Sequence, residues 1–117
     1  MLTRTLDHSV PQRLAISRDI KEEEIRFHPD RNKLLRVMGG EWGASSFELS
    51  PIQKKYGGMS YLLCSDGFWE LITEKEMEAT LGRTADSSQW LGEMLKIVRL
   101  NGINKDMDNF SAIAVRF

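Results

Sequence analysis

No disulfide can brace this chain, because Cys64 is its single cysteine. A fold without such staples has to be held by a buried core, and this cysteine usage fits a reducing cytosol. Histidine is nearly as scarce. Neither His8 nor His28 has a second histidine or a cysteine at zinc-ligand spacing, which argues against zinc. No excess of positive charge exists either: 16 basic against 17 acidic residues leave a net charge of −1, with no basic tail or stripe. Neither a nucleic acid nor an acidic membrane surface is therefore expected as a partner. We find no signal-peptide pattern, no apolar stretch near membrane-spanning length, no repeats and no low-complexity segments. A cytoplasmic protein is the expectation. What remains is ordinary globular material, 41% hydrophobic and 28% charged, with length for one domain and one core.

Several catalytic signatures are also missing. A cysteine-based phosphatase wants an arginine six positions after its cysteine, to grip phosphate bidentately, but position 70 is Glu70. Neither a Gly-x-Ser-x-Gly elbow nor a Gly-rich phosphate loop ending in lysine occurs. Asp106-Met107-Asp108-Asn109-Phe110-Ser111 opens like a calcium loop. It fails at its sixth position, Ser111 in place of glycine, and at its twelfth, Phe117 in place of glutamate. His8 and His28 read as turn or loop hydrogen-bonders.

The elements that are present mix strands and helices. Leu2 to Leu6 is a candidate strand, and Ser9 with Pro11 marks a helix start. Asp19 with Glu22 predicts a capped helix reaching Phe27. His28-Pro29-Asp30-Arg31-Asn32 then breaks the pattern. Leu34 to Met38 and Phe47 to Ile52 are further candidate strands. Thr73-x-x-Glu76 is a capping-box pattern, predicting a helix from Thr73 to Leu81 stopped by Gly82. Asp86-Ser87-Ser88 opens a longer helix, with Leu91, Met94, Leu95 and Val98 at helical spacing and Gly102 at its end. Trp69 and Trp90 read as core aromatics.

The most informative feature is the apolar run Tyr61-Leu62-Leu63-Cys64, which stops at Ser65-Asp66-Gly67-Phe68-Trp69-Glu70. A buried strand delivers a carboxylate to its end, and a glycine then frees the backbone to turn. Cys64 reads here as a small buried hydrophobe. Asp108-Asn109 opens a second apolar strand, Phe110 to Phe117, with Ile113, Val115 and Phe117 on one face and Phe110, Ala112 and Ala114 on the other. A strand apolar on both faces calls for cover on both, one side by helices and the other by a second sheet. Two aspartates at two strand ends are oxygen donors suited to a hard metal ion. Both also have plain structural readings, Asp66 as a turn former and Asp108 as a helix-exit or turn residue.

Leu62-Leu63-Cys64-Ser65-Asp66-Gly67-Phe68-Trp69-Glu70 closely resembles the Ser-Asp-Gly segment of the metal-dependent protein serine/threonine phosphatases, the PPM or type 2C family. Asp108-Asn109-Phe110-Ser111-Ala112-Ile113-Ala114-Val115 resembles that family's closing Asp-Asn strand. Leu2-Thr3-Arg4, Asp7-His8-Ser9, Glu22-Glu23-Glu24 and His28-Pro29-Asp30-Arg31-Asn32, ahead of a Gly-Gly, are similar to its segments in the same order. The resemblance implies an α+β fold of antiparallel β-sheets flanked by helices, a layered sandwich. It implies hydrolysis of phosphoserine and phosphothreonine in phosphoprotein substrates. The cofactors would be two Mg²⁺ or Mn²⁺ ions, which activate water for in-line attack. In the family, positions matching Asp66 and Asp108 ligate one of the two metals, while Gly67 and Asn109 would support the metal site. Lys21 to Asn32 and Glu41-Trp42 would lie near the substrate face, although Glu22 to Glu24 also reads as a solvated helix face.

The resemblance covers the C-terminal part of the family domain, residues 1–117, and that domain is expected to be incomplete here. The family's Asp-Gly-x-Gly-Gly segment, its phosphate-binding arginine and its general-acid histidine have no counterpart. Gly39-Gly40 and Gly57-Gly58 lack a preceding Asp-Gly. With part of the active site, the chain is expected to show little or no activity alone. Uncovered sheet surfaces predict self-association or a partner supplying the missing half. The alternatives are a non-catalytic, phosphatase-like binding or regulatory module and an unrelated structural α+β domain.

Overall fold

The computed structural model describes residues 3–41, 43 and 49–117. Two compact units are present, Thr3–Ile52 and Gln53–Phe117.

In the unit Gln53–Phe117, strand β1 (Ser60–Cys64) pairs antiparallel with β2 (Ala112–Arg116), setting Leu62 opposite Ala114 and Cys64 opposite Ala112. Between them run the single-turn helix α2 (Asp66–Trp69), α3 (Glu74–Gly82) and α4 (Ser87–Asn101). The helices start where the sequence places their caps. Thr73 Oγ1 accepts the Glu76 amide N–H while the Glu76 carboxylate accepts that of Thr73, closing the capping box. Asp86 Oδ1 accepts the Gln89 N–H at 2.8 Å. On α4, Trp90, Met94 and Val98 recur every four residues and are sealed from solvent. They form one core with Phe68, Ile72 and Met77, against which Leu62, Ala112 and Ala114 of the sheet are packed. Each such fully buried side chain contributes about 1.5–3 kcal/mol of transfer free energy. Trp90 Nε1 donates to the Met77 carbonyl, so this indole is buried without a stranded donor. Trp69 sits half-buried at the edge of the core.

The architecture is thus α+β, a small antiparallel sheet with helices on one face. The far face carries Tyr61 and Leu63 of β1 opposite Val115 and Ile113 of β2, and Ile113 is 63% exposed. Tyr61 meets Phe117 edge-on there, with ring centroids 6.1 Å apart.

Two details correct the sequence expectations in this unit, and a third, at Gly102, agrees with them. Cys64 is exposed, because it occupies the last strand position, beyond the side chains that cover Leu62. β2 begins at Ala112, since Asp108 to Ser111 run ahead of the paired segment. Gly102 does cap α4, yet its φ of −86° is one that any residue adopts. Its lack of a side chain makes room for the Met107 thioether, into which an added Cβ would run.

The unit Thr3–Ile52 departs further from expectation. Helix α1 (Val10–Ser17) begins as anticipated, with Ser9 as N-cap and Pro11 in its first turn. The expected helix from Asp19 is a 3-10 helix, Glu22–Phe27, preceded by Lys21, whose amide N–H reaches the Glu24 carboxylate at 2.6 Å. Asp19 instead accepts from the Ser17 hydroxyl. Residues 3–7 form no strand, and Leu2 lies outside the described residues. Leu34 to Met38 reduces to one bridge, Leu34 to Ser9, because the chain enters α1 immediately after Ser9 and offers no longer partner. Of the expected strand Phe47 to Ile52, Phe47 and Glu48 lie outside the described residues, and residues 49–52 are irregular.

Candidate functional site

β1 ends at Cys64, and Ser65 turns the chain directly into α2, leaving Asp66 as the first helical residue. The Asp66 carboxylate is exposed and accepts the Gly67 amide N–H at 2.8 Å. Asp108 is exposed likewise and accepts the N–H of Asn109 at 2.7 Å. Each carboxylate therefore has one oxygen tied to the next amide in its own segment.

The two segments meet at Gly67. A Cβ placed on this buried glycine would stand 2.6 Å from the Asn109 carbonyl oxygen and 3.3 Å from that of Asp108. Contact so close to backbone cannot be relieved by rotating a side chain, so only glycine lets the segments touch. Ser65 joins them on the strand side: its N–H donates to the Ser111 carbonyl, and its Oγ accepts the Ser111 N–H, both at 3.0 Å. Phe68, from α2, and Phe110 pack beneath with ring centroids 6.1 Å apart. Asp66, Gly67, Asp108 and Asn109 are thus gathered at one end of the two-stranded sheet, although the two aspartates stand 42 residues apart in sequence.

The donor chemistry, two carboxylates on neighbouring segments, suits a hard divalent cation. Two such groups leave most of a six-coordinate shell to water or other donors. Among the described residues, no three His, Cys, Asp or Glu side chains gather closely enough to hold a metal by themselves.

Elsewhere, His28 Nδ1 accepts the Asp30 N–H at 3.1 Å, the loop role expected of it. A hydrogen bond from Lys33 holds the Asp30 carboxyl below the ordinary carboxylate range. On α4, Lys96 does the same for Glu93. Trp42 lies outside the described residues. None of the described helices is long and apolar enough to cross a membrane.

No family model matches the chain. Among curated proteins, the serine/threonine phosphatase stp of Listeria monocytogenes serotype 4b is 37% identical over 79 residues, covering 66% of this chain and 30% of that protein. A putative protein phosphatase 2C-type from Streptococcus pyogenes serotype M6 is 27% identical over 117 residues, 95% of this chain and 43% of its own. The crystal structure of serine/threonine phosphatase Stp1 from Staphylococcus aureus superposes with a TM-score of 0.72 at 24% identity, over 97% of this chain and 42% of that one. The chain is a partial relative of the type 2C serine/threonine phosphatases. The fold is shared with a second solved structure, the S. agalactiae serine/threonine phosphatase, at a TM-score of 0.73 and 20% identity. This type 2C relative spans less than half the length of the proteins it matches, 30% to 46% of them.

Proposed function

We propose that this type 2C relative contributes the C-terminal part of a metal-dependent phosphatase site acting on phosphoserine and phosphothreonine in proteins. One observation carries the proposal most directly, the contact of Gly67 with the Asn109 carbonyl, which puts the segments bearing Asp66 and Asp108 side by side. Asp66 and Asp108 would hold a Mg²⁺ or Mn²⁺ ion, with Gly67 and Asn109 keeping the two segments in contact. When bound, such an ion supplies an activated water and neutralises phosphoryl charge at neutral pH. The chain's own part is to fix the two carboxylates on the end of a packed sheet, so that little rearrangement is needed when the ion arrives. With two ligands and no phosphate-gripping arginine assigned, the chain alone is expected to turn over little or no phosphoprotein.

Calorimetric titration with Mn²⁺ tests the reading. Binding by the parent that disappears in the Asp66→Asn, Asp108→Asn variant supports it, and a parent that binds no Mn²⁺ at millimolar concentration overturns it for this chain. The same reading assigns a cover to the exposed face of Tyr61, Leu63 and Ile113, supplied by a partner or a second copy. Sedimentation at rising concentration should then show association; a strictly monomeric species would count against the second copy.

A further inference from the structure

Resting on the metal reading above, we propose that the Ser65 hydroxyl is a positioning group that holds Asp66 and Asp108 in register. Ser65 occupies the place in the ladder after the last regular pair, Cys64 with Ala112. There an antiparallel partner would exchange two backbone hydrogen bonds with Ser111. The first is made normally, from Ser65 N–H to the Ser111 carbonyl at 3.0 Å. The second cannot be, because the Ser65 carbonyl already accepts the Phe68 and Trp69 amides that start α2, at 3.2 and 3.1 Å. One carbonyl at a strand-to-helix switch is thus claimed by the helix, and the strand partner is left a donor short of an acceptor. Ser65 Oγ fills that place, accepting the Ser111 N–H at 3.0 Å. Serine before a helix ordinarily turns its hydroxyl onto that helix as a cap; this one makes no capping bond.

The substitution matters because of what flanks it. Asp66 follows Ser65 directly, and Asp108 lies three residues before Ser111 on the segment that rests against Gly67. Without the hydroxyl, the Ser111 N–H loses its acceptor, and the 108–111 segment is held on the strand side by the single bond from the Ser65 N–H. A short side-chain acceptor is required, and the extended backbone of Ser65 (φ −77°, ψ 166°) also accepts threonine.

The test is Mn²⁺-induced line broadening in amide NMR spectra of the full chain, read at Gly67 and Asn109. These two amides donate to the two candidate ligands. In the parent, both signals should fade together at one Mn²⁺ concentration. In Ser65→Ala both should need roughly three- to tenfold more Mn²⁺, the loss set by one hydrogen bond. Ser65→Thr should restore the parent's response. An unshifted Mn²⁺ concentration in Ser65→Ala overturns the positioning role and leaves the metal reading standing. A parent in which neither amide broadens, or in which Asp66→Asn changes nothing, overturns the metal reading and the positioning role with it.

Discussion

The two units of this chain differ in how they are held. In Gln53–Phe117 six apolar side chains from three helices and their connections are sealed into one cluster, and α3 and α4 carry complete N-terminal caps. In Thr3–Ile52 Ile25 is the one large aliphatic buried among the described residues, while Ile16, Phe27, Leu34, Leu35, Val37 and Met38 stay exposed. Its order comes from polar contacts instead: Ser9 capping α1, Arg4 with Glu22 at 2.9 Å, and backbone bonds between residues 8–10 and 33–35. Apolar burial scales with area and accumulates, whereas exposed ion pairs add little. The candidate site stands on the unit whose core is closed.

The largest expected effect is therefore at Trp90. Trp90→Ala should cost about 3–5 kcal/mol in urea unfolding of the full chain, against little change for Phe27→Ala. Equal losses would erase the distinction between the units. Next comes Gly67→Ala, whose Cβ would collide with the Asn109 backbone. It should lose about 1–3 kcal/mol, and Mn²⁺ binding should weaken with it. An unchanged midpoint would mean that the two segments are not pressed together. Helix caps follow. Thr73→Ala should lower the main unfolding midpoint by an amount worth about 1 kcal/mol. Ser9→Ala should act on the amides of α1, read by hydrogen exchange, and leave that midpoint in place.

Smallest of all are the half-buried carboxylates Asp30 and Glu93, one in each unit, both held below their ordinary values by a neighbouring lysine. A depressed folded-state pKa contributes stability above the unfolded value and loses it as the pH falls through the folded one. Carboxyl NMR titration should find both midpoints below those of ordinary Asp and Glu side chains, and midpoints at ordinary values would remove this contribution from either unit.

Much of Gln53–Phe117 was legible because its signals are local. Thr73-x-x-Glu76 and Asp86-Ser87-Ser88 name their own helices, and of the spaced set Leu91, Met94, Leu95 and Val98, Met94 and Val98 are the buried pair while Leu91 and Leu95 are half-buried. The two expected strands are present as well, β1 from its apolar run and β2 from its period-two alternation. What escaped was nonlocal. Nothing near Gly67 in sequence announces the Asn109 carbonyl, and nothing near Ser65 announces Ser111, 46 residues on. In Thr3–Ile52 the reading failed for the converse reason. Apolar runs such as Leu34 to Met38 looked like strands, but a strand exists only where a partner runs beside it, and Ser9 offers a single bridge.

That 46-residue separation also sets an order of events. Between Ser65 and Ser111 lie three helices whose contacts are largely short-range, and such elements form before distant chain ends find each other. The aspartates are therefore still strangers in any species where α3 and α4 have docked but β1 has not met β2. Metal that recognises the pair would act on the finished structure only. Stopped-flow kinetics should show Mn²⁺ slowing unfolding while leaving the folding rate as it was.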